Sequence, residues 1–108
     1  MNPRVAYIDH DSYVRELVAN ELLKRGMTVA YESNIRGFIL RHGDLGLFPV
    51  LLYHPGIHQQ KLIRKVFERY PNTTVALVTY APTDYDQDIP VLNCWNYDEI
   101  AKFVREHQ

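Results

Sequence analysis

Apolar positions along this chain fall into short continuous runs and helical stripes that alternate from one end to the other. Arg4 to Ile8 is apolar on both faces, which predicts a buried central strand. It runs into Asp9, His10 and Asp11, and a helical pattern follows at once. Val14, Leu17, Val18 and Leu22 recur at helical spacing behind a capping Asp11 or Ser12, and Gly26 stands where a helix end favours a left-handed residue. Met27 to Glu32 reads as strand 2. Ile35, Phe38 and Ile39 then form the inward stripe of a short helix capped by Ser33 or Asn34, weakened by Gly37 and ended at Gly43.

Asp44 to Phe48 reads as a loop. Pro49 can open strand 3, since the first strand residue need not donate to the ladder. Val50 to Tyr53 is that strand's core, and His54-Pro55-Gly56 turns the chain. Helix 3 presents Ile63, Val66, Phe67 and Tyr70 inward and Lys61, Arg64, Lys65 and Arg69 outward, until Pro71-Asn72 breaks it. Thr74 to Thr79 is strand 4, apolar enough to be buried on both sides. Ala81 to Asp88 shows no helical period and reads as a loop. Ile89 to Asn93 is strand 5, where Pro90 points to a sheet edge. Asn96 and Glu99 form a capping box for a last helix that buries Ile100, Phe103 and Val104.

The order β-α-β-α-β-α-β-loop-β-α is that of an α/β chain. Right-handed crossovers wind it into a doubly wound, flavodoxin-like parallel sheet of five strands in the order 2-1-3-4-5, helices on both faces. Chemistry in such sheets gathers outside the carboxyl ends of the strands, which directs attention to Asp9, His10 and Asp11.

Composition narrows the function classes. The 108 residues make one domain; 46% are hydrophobic and 23% charged, so the chain carries a core and is not disordered. A formal charge of -1 gives no pull toward nucleic acid or an anionic membrane. No apolar run approaches bilayer length. The single cysteine, Cys94, excludes an internal disulfide and fits a reducing cytoplasm. Its default reading is a small buried hydrophobe rather than a nucleophile, which would need a neighbouring base. His10, His54 and Cys94 fall near strand ends beside Asp9, a donor set of the kind that holds Zn²⁺, but no paired ligand motif accompanies them. Tyr80, Tyr85, Trp95 and Tyr97 cluster, with Pro90, toward the strand 4–5 edge. Aromatic groups of this kind mark interfaces, unless the loop and Trp95 fold back to cover that edge.

In this order the chain resembles the response-regulator receiver domains of two-component signalling. The resemblance rests on VAYIDHDSYVRELVANELLKRG at the start, VLLYHPG after helix 2, and ERYPNTTVALVTY through strand 4. It implies a phosphotransfer switch in which an acidic pair after strand 1 and an aspartate ending strand 3 hold Mg²⁺. That last aspartate takes the phosphoryl group, and a Thr or Ser ending strand 4 and a Lys ending strand 5 contact its oxygens. Carried over position by position, the first acid is Asp9 and the second falls on His10, with Asp11 beside it. The acceptor falls on Tyr53, the Thr on Thr79, the Lys on Asn93, and the switching aromatic on Pro90. The helix expected between strands 4 and 5 is replaced by the loop of 81–88.

The resemblance therefore implies a degenerate form, a pseudo-receiver whose pocket of Asp9, His10, Asp11, Tyr53, Thr79 and Asn93 lacks the acceptor carboxylate. Tyr53 is expected to fill the vacated pocket and bond its hydroxyl to Asp9 or Thr79. The leading expectation is a non-enzymatic, cofactor-free module that signals by binding a protein partner or a second copy, through Tyr80, Tyr85, Pro90, Trp95 and Tyr97. Two alternatives stay open. One is a small-ligand or Zn²⁺ sensor at Asp9, His10, Tyr53, His54 and Thr79. The other is a divergent phosphoacceptor at Asp9 or Asp11. Fusion to an output domain also stays open.

Overall fold

The structure is a computed structural model, and it describes residues 3–54, 60–80 and 89–108. Five parallel strands form one sheet in the order β2-β1-β3-β4-β5. They are β1 (Val5–Asp9), β2 (Val29–Glu32), β3 (Val50–His54), β4 (Thr74–Thr79) and β5 (Val91–Asn93). The helices are α1 (Ser12–Lys24), α2 (Ile35–His42), α3 (Gln60–Arg69) and α4 (Tyr97–His107). The doubly wound arrangement and its strand order are those the alternation of elements predicts. The loop expected over 81–88, with Tyr85 in it, lies outside the described residues.

Side-chain alternation along the strands divides the core into two layers. Val5, Tyr7, Val50, Leu52, Ala76 and Val78 pack with Val14, Val18 and Leu22 of α1 and with Ile100, Phe103 and Val104 of α4. Ala6, Ile8, Leu51, Tyr53, Val75 and Leu77 pack on the other face with Phe38 of α2 and Val66 of α3. Strands β1 and β3 are buried at every position, as central strands of a two-faced sheet must be.

The helix ends are set by local chemistry. Asp11 caps α1 by accepting from the backbone of Tyr13 and Val14. At the other end the N–H of Met27 bonds the Leu22 carbonyl at 2.9 Å and that of Gly26 the Leu23 carbonyl at 3.0 Å. This Schellman closure needs the positive φ of 82° that Gly26 supplies, and Met27 lands in the same core layer as Leu22. Asn96 accepts from the Glu99 N–H and donates to the Glu99 carboxylate, so the expected capping pair does open α4. Arg25 ties α1 to α4, reaching Glu21 at 2.7 Å and Asp98 at 2.9 Å.

Several boundaries differ from the sequence reading. β2 begins at Val29, and Met27 serves as a buried anchor before it. The loop after α2 contains a turn of 3-10 helix (Leu45–Leu47) whose Leu45 is fully buried. Ile39 is exposed rather than inward, because eight residues of helix present only one turn to the sheet, and Phe38 fills that contact. Pro90 precedes β5, and its carbonyl accepts from Leu77 at 2.8 Å. A proline there leaves β5 its edge position without breaking a ladder bond. Finally, β3 runs one residue further than expected, so His54 belongs to the strand and not to the turn. Among the described residues no helix is long and apolar enough to cross a membrane.

Truncating Leu22→Ala, at the contact between α1 and the sheet, should lower unfolding stability by about 2–5 kcal/mol. Leu40→Ala, on the exposed face of α2, should stay within about 0.5 kcal/mol of the parent. Equilibrium denaturation of both variants checks this division between core and surface.

Candidate functional site

At the carboxyl end of the sheet everything is arranged around Asp9, the last residue of β1, whose side chain has no exposed surface. Residues two apart in a strand share a face, so Asp9 lies above Tyr7. The Tyr7 hydroxyl donates to Asp9 Oδ2 at 2.6 Å, and the Asp11 N–H donates to Asp9 Oδ1 at 2.9 Å. Arg15, one turn into α1, donates from Nη1 to the Asp9 carbonyl oxygen at 2.8 Å. Both carboxylate oxygens and the backbone carbonyl are thus engaged within the chain. Burial, then the adjacent carboxylate, push the Tyr7 hydroxyl far above its ordinary range, so it stays a donor.

Asp11 is equally occupied. Its Oδ1 accepts from the backbone of Tyr13 at 3.0 Å and of Val14 at 3.2 Å, and its Oδ2 accepts from the Tyr80 hydroxyl at 2.8 Å. These bonds favour the ionised form, that from Tyr80 most, and hold the Asp11 carboxyl below the usual carboxylate range. In return Tyr80 is pushed up to about 12, by burial first and the Asp11 bond second.

Across the ladder from Asp9 stands His54. It is almost fully buried, with Nδ1 3.5 Å from Asp9 Oδ2 and no hydrogen-bond partner for that nitrogen. Its ring meets the exposed His10 edge-on at 5.2 Å and Tyr80 at 5.0 Å, and Tyr80 lies 6.3 Å from Trp95. An aromatic row therefore crosses the sheet end from β1 to the turn after β5.

Tyr53 does not join this cluster. It is paired with Ile8 and Leu77 and is buried in the layer beneath α2 and α3, on the face opposite to Asp9. Burial raises its hydroxyl pKa. The hydroxyl at Asp9 belongs to Tyr7, and the β3 side chain that approaches the carboxylate is that of His54. The bond to Asp9 expected of Tyr53 is corrected, and strand parity explains it: a one-residue step puts a side chain on the other face.

Thr79 ends β4, buried, with its carbonyl accepting from the Cys94 N–H at 3.0 Å. Asn93 faces Thr79 across the β4–β5 ladder and is exposed; its side chain accepts from the Trp95 N–H at 2.9 Å. Cys94 is fully buried among α1 and α4 side chains, and burial, then Asp9, push its thiol up to about 11. Tyr80 and Trp95 are each 47% exposed, and Tyr97 is partly buried against the core. Sequence reasoning passed over Tyr7 and Arg15. The two-residue spacing of Tyr7 from Asp9 carried a signal; Arg15 carried none.

No protein-family profile and no curated protein sequence matches this chain. Among solved structures it is similar to a response regulator from Thermotoga maritima, with a TM-score of 0.67. The identity is 21%, over 98% of this chain and 97% of that one. The fold is therefore that of a receiver-like domain. The residues at its sheet end do not fit the Mg²⁺ that receivers hold. Mg²⁺ requires hard oxygen ligands in near-octahedral geometry, whereas Asp9 and Asp11 are engaged within the chain and the facing group is an imidazole. Among the described residues no three His, Cys, Asp or Glu side chains converge as a metal site, the set of His10, His54, Cys94 and Asp9 included.

Three outcomes follow from this geometry. Tyr7→Phe strips a donor from a buried carboxylate and should cost about 2 kcal/mol in denaturant unfolding. The Cys94 thiol should resist a disulfide reagent in the native protein at pH 8 and react at once in denaturant. Asp11 has a depressed folded pKa, so its contribution to stability is present above the unfolded carboxylate range and is lost as pH falls through the folded value. Tyr80→Phe should move the Asp11 carboxyl titration upward, read by carboxyl carbon NMR, and shrink that pH-dependent contribution.

Proposed function

We propose that this chain is a receiver-like signalling domain that takes no phosphoryl group and acts by binding another protein. One observation carries the reading. β3 ends in Tyr53 and His54, where a phosphorylated receiver has its aspartate, and the remaining acids, Asp9 and Asp11, are engaged as structural acceptors. An acyl phosphate needs a free carboxylate nucleophile, and Asp9 would have to break the Tyr7 and Asp11 bonds in a buried site to become one. Asp11 would have to leave the cap of α1. The position that would carry a Lys ammonium is Asn93, which leaves no cation there to neutralise a phosphoryl oxygen.

Binding is supported by what the sheet end exposes. Tyr80 and Trp95 are half-exposed rings beside Asn93, next to an edge strand of three residues. Tyr80 is held by its hydroxyl bond to Asp11 and Trp95 by its backbone bond to Asn93. Large aromatic side chains offer contact area at low entropic cost, the usual make-up of interface anchors.

The test adds Mg²⁺ and beryllofluoride, a phosphoryl mimic, to the ¹⁵N-labelled protein, with acetyl phosphate labelling followed by intact mass in parallel. The amides of Asp9, Asp11, His54, Thr79 and Asn93 should not shift, and no phosphoryl adduct should form. Saturable shifts at these positions, or a stable adduct on Asp9 or Asp11, would overturn the reading.

A further inference from the structure

The chain segregates its charge along the sequence. From Tyr70 to Ala101 there is no lysine or arginine, while Asp84, Asp86, Asp88, Asp98 and Glu99 fall in that span. The same span supplies β4, β5, Tyr80, Trp95 and Tyr97. A net charge near zero for the whole chain thus conceals a stretch of sequence that is aromatic and free of basic residues.

Among the described residues, two rings of this stretch meet at one place. Tyr80 and Trp95 lie 6.3 Å apart with their ring planes tilted by 34°, each half exposed. Asp11 is fixed beside them by the Tyr80 hydroxyl at 2.8 Å. Burial first, and then the charges of Asp9 and Asp11, push up the Tyr80 hydroxyl and the Cys94 thiol. Arg15, the basic side chain nearest in sequence, is turned to the Asp9 carbonyl, and Arg25 is held by Glu21 and Asp98. The positive ends of two helices also open here, but Asp11 takes first-turn N–H groups of α1 and Asn96 one of α4.

Aromatic faces carry negative potential and attract a cation within about 6 Å of the ring centre, arginine above all because its planar group stacks. Two such rings, one of them bonded through its hydroxyl to an ionised carboxylate, are complementary to an Arg or Lys head group. We infer that the surface of Tyr80, Trp95 and Asp11 is a docking site for a basic peptide segment of a partner protein, with a cationic side chain seated on the two rings. This inference rests on the binding function proposed above and assigns the chemistry of the partner.

A second copy of this chain is the competing occupant, since α3 carries exposed Lys65 and Arg69. That contact would join two different surfaces and would show as self-association growing with concentration.

The test is a titration of the intact labelled protein with a short glycine-spaced peptide carrying three arginines, alongside the same peptide with citrulline at each arginine. Trp95 is the only tryptophan, so its fluorescence and indole N–H report occupancy directly. The arginine peptide should bind saturably, shifting the signals of Trp95, Tyr80 and Asp11, and about tenfold more tightly than the citrulline peptide. Salt should weaken it. Trp95→Ala and Tyr80→Phe are exposed or conservative changes that leave the fold intact. The first should lose binding about tenfold or more, whereas the second keeps the ring face and should retain most of it.

Equal binding of the two peptides, shifts confined to other surfaces, or no binding would overturn the proposal. So would concentration-dependent self-association by sedimentation velocity that shifts the same residues without peptide. Failure here with a silent beryllofluoride titration rejects only the basic partner. A response to beryllofluoride rejects the phosphorylation-independent reading itself.

Discussion

A carboxylate with no exposed surface has to be met by donors; Asp9 has two of them, and its backbone carbonyl has a third. The Tyr7 hydroxyl rises from the same strand face, the Asp11 N–H closes the turn, and Arg15 secures the Asp9 carbonyl from the first helix. Leaving such a group unpaired in the interior costs several kcal/mol. The β1–α1 turn is therefore held in one shape, and that shape sets where Asp11 stands. Asp11 in turn caps α1 and anchors Tyr80, linking the central strand to the far side of the sheet end.

The same constraint sets what the acids at the sheet end of this receiver-like fold are bonded to. In a phosphorylated receiver the acids at the sheet end must remain available to a metal and a phosphoryl group. In this chain their oxygens are committed to tyrosine hydroxyls and backbone N–H groups, and the facing strand contributes an imidazole. The rings of His10, His54, Tyr80 and Trp95 follow one another in edge and tilted contacts across the sheet end. What the described residues present to solvent there includes the pair of half-exposed rings, Tyr80 and Trp95.

The two core layers account for the remaining rigidity. Because β1 and β3 are buried on both faces, each one-residue step moves a side chain from the α1/α4 layer to the α2/α3 layer. Tyr53 goes to the second layer and becomes core, while His54 goes to the first and meets Asp9. The polar tip of the sheet is thus decided by which residue ends each strand, and small shifts in strand length have large chemical consequences.

Much of this could be read from the chain directly. The alternation of buried runs and helical stripes was enough for the sheet order. Asp11, Asn96 with Glu99, and Gly26 marked helix ends, because capping is a local matter between neighbouring residues. It was also legible that strand 3 runs out in Tyr53 and His54 rather than in a carboxylate. The tertiary structure decided the rest. Only the packed sheet determined that β3 extends to His54, that Tyr7 and not Tyr53 serves Asp9, and that Tyr80 reaches Asp11 across 69 residues. Periodicity reports which side chains share a face within one element. The partner of a polar group depends on register between elements, and register is fixed by how both layers of the core pack at once.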